Sequence, residues 1–464
     1  MTPEQFIEKV ASQAGISASA YRTYHPAEAW QLKNRLWQGK ARSQRFDLGF
    51  VVIDDDQQTK TAVSNSMARL APPEGGFNAV AMVERVEGAW SITKVVEKAG
   101  TSIGVRLKPY FPKLEIIPVS GPATSKPEIK TSPVVETLVQ ELVASLNSSP
   151  NLVLQGPPGT GKSFLAQKVC EHLAEARDIE PFQLSSLVRG ENGNLRSLLT
   201  QDWFIQLPLV WERVQLHPGY TYDDFVRGRA LITKDGGSRV DSVDKMMLEV
   251  CAVAAARSDR PTLLILEEIN RCNLASVLGD LIVAIDPAHR GEAVHLQVSP
   301  PSDGGVGIGA LLAIPPSLRL LGTMNTADRS IALVDYAIRR RFRFVDILPD
   351  REVIVQYYQV RDAGNCGIKA AEIFDKIREI VSDERIQLGQ SYFLCEPGEG
   401  WARRFANKIT YEIFPMLREY ESEGRHLKEL TLDLGANGQI EFGQQFSDPA
   451  DRTDRDRLAA YLSI

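Results

Sequence analysis

Eight consecutive residues, Gly156-Pro157-Pro158-Gly159-Thr160-Gly161-Lys162-Ser163, have the types and spacing of a phosphate-binding loop. Glycines let backbone N–H groups turn inward around a polyphosphate, a lysine reaches its terminal phosphates, and a serine hydroxyl faces Mg²⁺. The chemistry requires a strand before the loop and a helix N-terminus after it, where the dipole favours negative charge. Leu152 to Gln155 reads as the strand and Phe164 to Ala176 as the helix.

Two carboxylates, Glu267 and Glu268, follow the apolar run Thr262 to Leu266, which Pro261 bounds. A run of that kind is expected in a central parallel strand buried on both faces, and ligands of open α/β sheets sit at the carboxyl ends of such strands. Glu267 is expected to contact Mg²⁺, directly or through water, and Glu268 to polarise the water attacking the terminal phosphate. Asp is usual at the metal position, and the longer Glu267 raises the prospect of slower turnover. A third apolar strand, Leu318 to Gly322, leads to Asn325, a side chain suited to orienting that water. Beyond it, Arg339, Arg340 and Arg341 fall on a helix end, where a planar guanidinium can neutralise charge on the phosphate of a neighbouring subunit.

The remaining elements must position these groups. With 464 residues the chain exceeds one core and should divide into several domains. Hydrophobic residues at 43% and charged residues at 24% describe an ordinary globular protein, and a net charge of −6 argues against an overall basic coat. No apolar run approaches the roughly 20 residues of a membrane span, and the start, MTPEQFIEKVASQ, lacks a secretory apolar core. Cys170, Cys251, Cys272, Cys366 and Cys395 show no metal-like pairing and fit reduced thiols in a cytoplasm.

Residues 1–119 read as a small α+β domain with strands over Asp47 to Ile53, Ala79 to Val86, Trp90 to Val95 and Leu114 to Val119. Trp30 and Trp37 among Lys33, Arg35, Lys40, Arg42 and Arg45 fit either a nucleic-acid surface or a solvated helix whose tryptophans are core. Asp47 and Asp54-Asp55-Asp56 read as a solvated acidic turn, because no acid-x-Lys partner strand accompanies them to make them the metal ligands of a nuclease. Residues 120–133, rich in Pro, Ser, Thr and Lys, are the expected linker. A nucleotide-binding core over 134–349 follows, opened by a helix carrying Val135, Leu138, Val139, Leu142, Val143 and Leu146 on one face. Tyr220, Tyr222 and Phe225 surround Asp223-Asp224 in what reads as an aromatic loop with a capping acid. A helical lid is expected over 350–425 and a polar tail over 426–464, with a hairpin near Thr431 to Phe442.

The segments GPPGTGKS, HPGYTYDDFVRG, LILEEINRCNLASVLGD, GTMNTADRSIALVDYAIRRRF, LGQSYF and YEIFPMLREY together resemble the McrB family of AAA+ NTPases over roughly residues 135–425. The resemblance implies an α/β AAA+ P-loop fold, a parallel sheet core with a helical lid. It also implies a homo-hexameric ring using ATP or GTP with Mg²⁺, a McrC-like nuclease as partner, and DNA, modified or plain, as target. It further implies that Asn325 and Asp328 form the sensor-1 motif and that Arg340 and Arg341 reach the adjacent subunit's nucleotide. Asp223 stands where Glu is common, and Gln390 where His is common, which leaves the role of position 390 open. The N-terminal domain matches no target reader by motif, and Trp30, Trp37 or Trp90 would suit either a flipped-base pocket or core. The competing expectation is a MoxR-like chaperone that remodels a protein instead of acting on DNA.

Overall fold

The computed structural model describes residues 5, 6, 9, 21–24, 48–53, 79–86, 89–98, 111, 114–119, 133–174, 181–186, 193–234, 237–327, 334–425, 427–428, 431–441 and 451–463. Trp30, Trp37, Asp47, Asp54 to Asp56, most of the expected linker and Asp328 lie outside the described residues.

The N-terminal region contains a five-stranded sheet in chain order, β1 (Tyr21–Tyr24), β2 (Leu48–Ile53), β3 (Ala79–Val86), β4 (Ala89–Lys98) and β5 (Glu115–Val119). Only β3 and β4 run antiparallel. Ala81, Val83, Val95 and Val96 are fully or almost fully buried, as expected of β-branched and small residues on a covered sheet face. The last four strands lie where the apolar alternation placed them, whereas β1 is an addition.

Helix α1 (Pro133–Ser148) buries Val135, Val139, Leu142 and Leu146, one stripe at helical spacing. It delivers the chain into β6 (Asn151–Gly156), and the phosphate loop then passes into α2 (Lys162–Ala174). After β7 (Phe182–Gln183) and β8 (Val210–Gln215) the chain makes a hairpin of β9 (Arg227–Lys234) and β10 (Gly237–Asp244). Helix α3 (Met246–Ala256) leads to β11 (Thr262–Glu267). A second hairpin, β12 (Ala293–His295) with β13 (Leu311–Ala313), precedes β14 (Leu318–Asn325), the short helix α4 (Tyr336–Arg339) and β15 (Arg343–Asp346).

The core sheet is wholly parallel, in the order β15-β6-β14-β11-β8-β7. All six residues of β11 are buried, as its unbroken apolar run requires of a strand covered on both faces. Residues Leu318 to Gly322 begin β14, but the strand continues three residues further, so Asn325 ends the strand instead of following it. The aromatic loop has the expected capping acid: the Thr221 N–H donates to Asp224 Oδ2 at 3.1 Å, and the Thr221 hydroxyl contacts the same oxygen at 2.6 Å. Buried Arg227 ties the base of the first hairpin to the loop joining β12 and β13, donating to Asp244 Oδ1 at 2.6 Å and to the Ile308 carbonyl at 2.7 Å.

The lid comprises α5 (Arg351–Gln359), α6 (Gly364–Ile380), α7 (Trp401–Lys408) and α8 (Phe414–Ser422), with a π-helical turn at Ile409–Ile413 joining the last two. The segment read as a polar tail is built into it. Strands β16 (Thr431–Asp433) and β17 (Gln439–Glu441) form the expected hairpin, and helix α9 (Asp451–Leu462) follows. Leu432, Ile440, Leu458 and Leu462 are buried in the same cluster as Tyr358, Phe374, Trp401 and Phe405. Leu458 is fully buried there, so Leu458→Ala should cost about 2–4 kcal/mol. Urea unfolding followed by tryptophan fluorescence should show the lowered midpoint, and an unchanged midpoint would mean that α9 contributes nothing to the lid.

Candidate nucleotide site

Parallel register brings the chemistry-bearing residues to one edge of the sheet. Asn325 pairs with Gly156, Gly322 with Leu266, and Glu267 with Gln215, so the carboxyl ends of β6, β14, β11 and β8 share one layer. The phosphate loop closes over that layer. Gly159 has φ of +79° and Gly161 of +87°, left-handed values that a side chain would strain. Lys162 lies along the inside of the loop, donating from Nζ to the carbonyls of Gly156 at 2.9 Å and Pro157 at 2.7 Å, and the Thr160 hydroxyl donates to Pro157 O at 3.1 Å. The ammonium is thus buried in a cradle of backbone oxygens, with the first turn of α2 beside it.

Glu267 is 4% exposed. Its Oε2 accepts the Ser163 hydroxyl at 3.0 Å and also the Thr323 hydroxyl. Its Oε1 is buried without a hydrogen-bond partner. An all-oxygen pair of hydroxyl and carboxylate, with one carboxylate oxygen left over, suits the hard ion Mg²⁺, which takes one or two carboxylates together with phosphate and water. Among the described residues there is no group of three or more His, Cys, Asp or Glu arranged to hold a metal, so the remaining ligands would have to come from the nucleotide and water.

Glu268 turns the chain in the left-handed region, with φ of 57° and ψ of 52°, an unusual conformation for a glutamate and one concentrated at functional sites. Its N–H donates to Thr323 Oγ1 at 3.1 Å, so one hydroxyl ties both glutamates to β14. Its Oε2 accepts from Gln215 Nε2 at 2.8 Å and lies 2.7 Å from Arg271 Nε. Asn325 is half-buried, its carbonyl held by Asn270 Nδ2 at 2.9 Å.

The lid grips the phosphate loop through LGQSYF. Gly389 N–H donates to Pro158 O at 2.9 Å, Ser391 N–H to Gly159 O at 2.9 Å, and Gln390 Nε2 to Thr160 O at 2.7 Å. Gln390 Oε1 in turn accepts from the Asp350 N–H at 3.3 Å. The position left open by sequence therefore bridges the loop and the start of the lid. Beside the loop lies an apolar cavity of about 560 Å³, walled by Val135, Phe164, Ile347, Pro349, Tyr357 and Leu394. Its volume and apolar walls are those of a small-ligand site.

The arginines at the end of α4 face different ways. Arg339 and Arg340 are exposed. Arg341 is 5% exposed; its Nη1 donates to Ala337 O at 2.6 Å and its Nε stands 3.6 Å from Asp286 Oδ2. The expectation that Arg340 and Arg341 both reach outward is thus corrected for Arg341. Its N–H bonds the Ile338 carbonyl as the chain turns from α4 into β15, and that turn aims its side chain into its own subunit. Residue-type reasoning also passed over Thr323, Gln215, Arg271 and Asn270. Arg271 carried a signal, since it lies three residues after Glu268; Thr323 and Gln215 reach the glutamates only across strands, and Asn270 bonds Asn325 instead.

Residues 185–342 match the family model of the AAA domain, dynein-related subfamily. The chain is 29% identical over 299 residues to the Type IV methyl-directed restriction enzyme EcoKMcrB subunit of Escherichia coli strain K12, covering 61% of this chain and 57% of that protein. It is 25% identical over 223 residues to the Type II restriction enzyme BsuMI component YdiS of Bacillus subtilis strain 168, covering 42% of this chain and 56% of that protein. The chain thus spans somewhat over half the length of the curated relatives it matches. Among solved structures, Cdc6p of Pyrobaculum aerophilum aligns at a TM-score of 0.26 and 12% identity, over 71% of this chain and 94% of that one, a likeness too slight to add to the fold. Among the described residues no helix is long and apolar enough to cross a membrane.

The clasp gives the site a direct test. A Cβ on Gly389 would fall 2.0 Å from the carbonyl carbon of Gly159 and 2.2 Å from the Thr160 nitrogen, backbone atoms of the loop itself. Gly389→Ala should push the lid off the phosphate loop and weaken nucleotide binding by roughly tenfold or more, a loss of at least about 1.4 kcal/mol. Fluorescent-nucleotide titration measures this, and unchanged affinity would show that the clasp does not shape the site.

Proposed function

We propose that this McrB-like AAA+ NTPase binds ATP or GTP with Mg²⁺ between its phosphate loop and lid and hydrolyses it at a site completed by a neighbouring subunit. The observation that carries this reading is the single strand-end layer in which Lys162, Ser163, Glu267, Glu268 and Asn325 meet. The backbone of Gly156, Pro157, Pro158, Gly159, Thr160 and Gly161 encloses the phosphates, and Lys162 leaves its carbonyl partners to neutralise the outermost ones. Ser163 and Glu267 hold Mg²⁺, which when bound draws electron density from the phosphate oxygens. Glu268 orients and deprotonates the attacking water, with Gln215 and Arg271 setting the direction of its carboxylate. Asn325 fixes the water's second side, and Asp328 completes the sensor motif after it. The apolar cavity takes the base and ribose.

Within one chain the exposed Arg271 already pairs with Glu268, whereas Arg340 stands exposed at the end of α4. We assign it to the adjacent subunit's nucleotide, in a ring of six copies, with Arg341 bracing the turn that presents it. The likeness to two restriction-enzyme components supports a role in a restriction system. On that reading the ring works in the cytoplasm with a McrC-like nuclease subunit, and residues 1–119 recognise DNA, modified or plain.

Glu268→Gln should keep nucleotide affinity within a few-fold and cut turnover by about 10²-fold or more, because it removes the base and leaves the cradle. Arg340→Ala should likewise keep binding and lower turnover by roughly 10³-fold, while Arg341→Ala should act mainly on stability. Phosphate release and fluorescent-nucleotide binding separate these outcomes. Wild-type turnover in Arg340→Ala would remove the shared-site assignment. DNA that neither binds in a salt-dependent way nor changes turnover would remove the DNA target.

A further inference from the structure

Arg213, on β8, takes no part in the chemistry above, yet it stands against the metal-side carboxylate. Its Nη2 donates to Gln167 Oε1 at 3.3 Å, one helical turn beyond Ser163 on α2, and its guanidinium carbon lies 5.7 Å from the centre of the Trp211 ring. Its Nε faces Glu267 Oε1 across 3.7 Å, too far for a hydrogen bond. Neither of those two buried atoms has a hydrogen-bond partner. The other oxygen of Glu267 is taken by Ser163 and Thr323, both neutral hydroxyls, and Arg213 brings a cation to this buried carboxylate.

We propose that Arg213 is the resident counter-ion of Glu267. It compensates the carboxylate while no divalent cation is bound, and by the same charge it raises the Mg²⁺ concentration needed to load the site. The guanidinium is permanently charged, and leaving a carboxylate buried without compensation is costly. Gln167 and Trp211 hold the guanidinium near Oε1 without letting it close the gap, which leaves that oxygen open to a competing cation. A divalent ion that takes Oε1 must then tolerate a like charge in a region of low dielectric. The added methylene of Glu267 over an aspartate brings the carboxylate within reach of both Ser163 and Arg213. Arg213 is accordingly a positioning residue: it acts on metal and nucleotide through Glu267.

This inference rests on the nucleotide and Mg²⁺ reading, and two variants separate the two. Arg213→Met removes the charge and keeps much of the packing; Arg213→Lys keeps the charge. In EDTA without nucleotide, Arg213→Met should melt several degrees below wild type, because Glu267 loses its counter-ion. In a Mg²⁺ titration of fluorescent-nucleotide binding, its half-saturating Mg²⁺ should fall by about tenfold, while Arg213→Lys stays near wild type in both measurements. A merely structural arginine would lower the melting temperature equally with and without Mg²⁺-nucleotide and leave the Mg²⁺ requirement where it was, and that result overturns the proposal. If Arg213→Met does not fold, Arg213→Gln, which can still bond Gln167, carries the same expectation. Wild-type nucleotide binding that ignores Mg²⁺ would instead overturn the parent reading of the site.

Discussion

A carboxylate buried at the end of a central strand is the constraint on which the site depends. Glu267 belongs to a strand with no exposed residue, so its neighbours must compensate it by hydrogen bonds and charge. Ser163 from α2, Thr323 from β14 and Arg213 from β8 do so, each delivered by a different element. Those side chains can meet only if the strand order β6-β14-β11-β8 and its parallel register are kept.

Thr323 shows how closely the parts are linked. One hydroxyl donates to Glu267 and accepts from the backbone of Glu268, where the chain adopts its left-handed turn. A shift of β14 would thus move Glu267 and Glu268 together. The same strand ends in Asn325, and just beyond it Thr326 donates to the Arg385 carbonyl and Ala327 accepts from Arg425, both parts of the lid region. Sheet, Asn325 and lid form one connected frame, and the three bonds from LGQSYF to the phosphate loop close it from the other side.

Much of this was legible in the sequence, and the reason is local. The phosphate loop, the strands ending in Glu267 and Asn325, and the helix carrying the arginines all announce themselves through periodicity and glycine chemistry within a dozen residues. What escaped was set by distance along the chain. Gln390 meets Thr160 across 230 positions, and Arg213 meets Glu267 across two strands that only the folded register brings side by side. The inward turn of Arg341 depends on the tight path from α4 to β15, which three identical side chains in a row cannot encode. The C-terminal segment reads as polar because charged residues dominate 451–457, ahead of the short stretch that holds Leu458 and Leu462. They lie one turn apart on one face of α9, and their partners are lid residues far earlier in the chain.

The glutamate in place of the usual aspartate then fits its setting. A shorter side chain on β11 would draw back from the hydroxyls that hold Oε2 and from the guanidinium opposite Oε1. The longer one spans the gap but must be steered, since each added torsion allows the carboxylate another direction. Two hydroxyls on one oxygen and a cation beside the other supply that steering before any nucleotide arrives. A flexible ligand fixed from three sides is preorganised, and the departure from the common residue is matched by the neighbours that surround it.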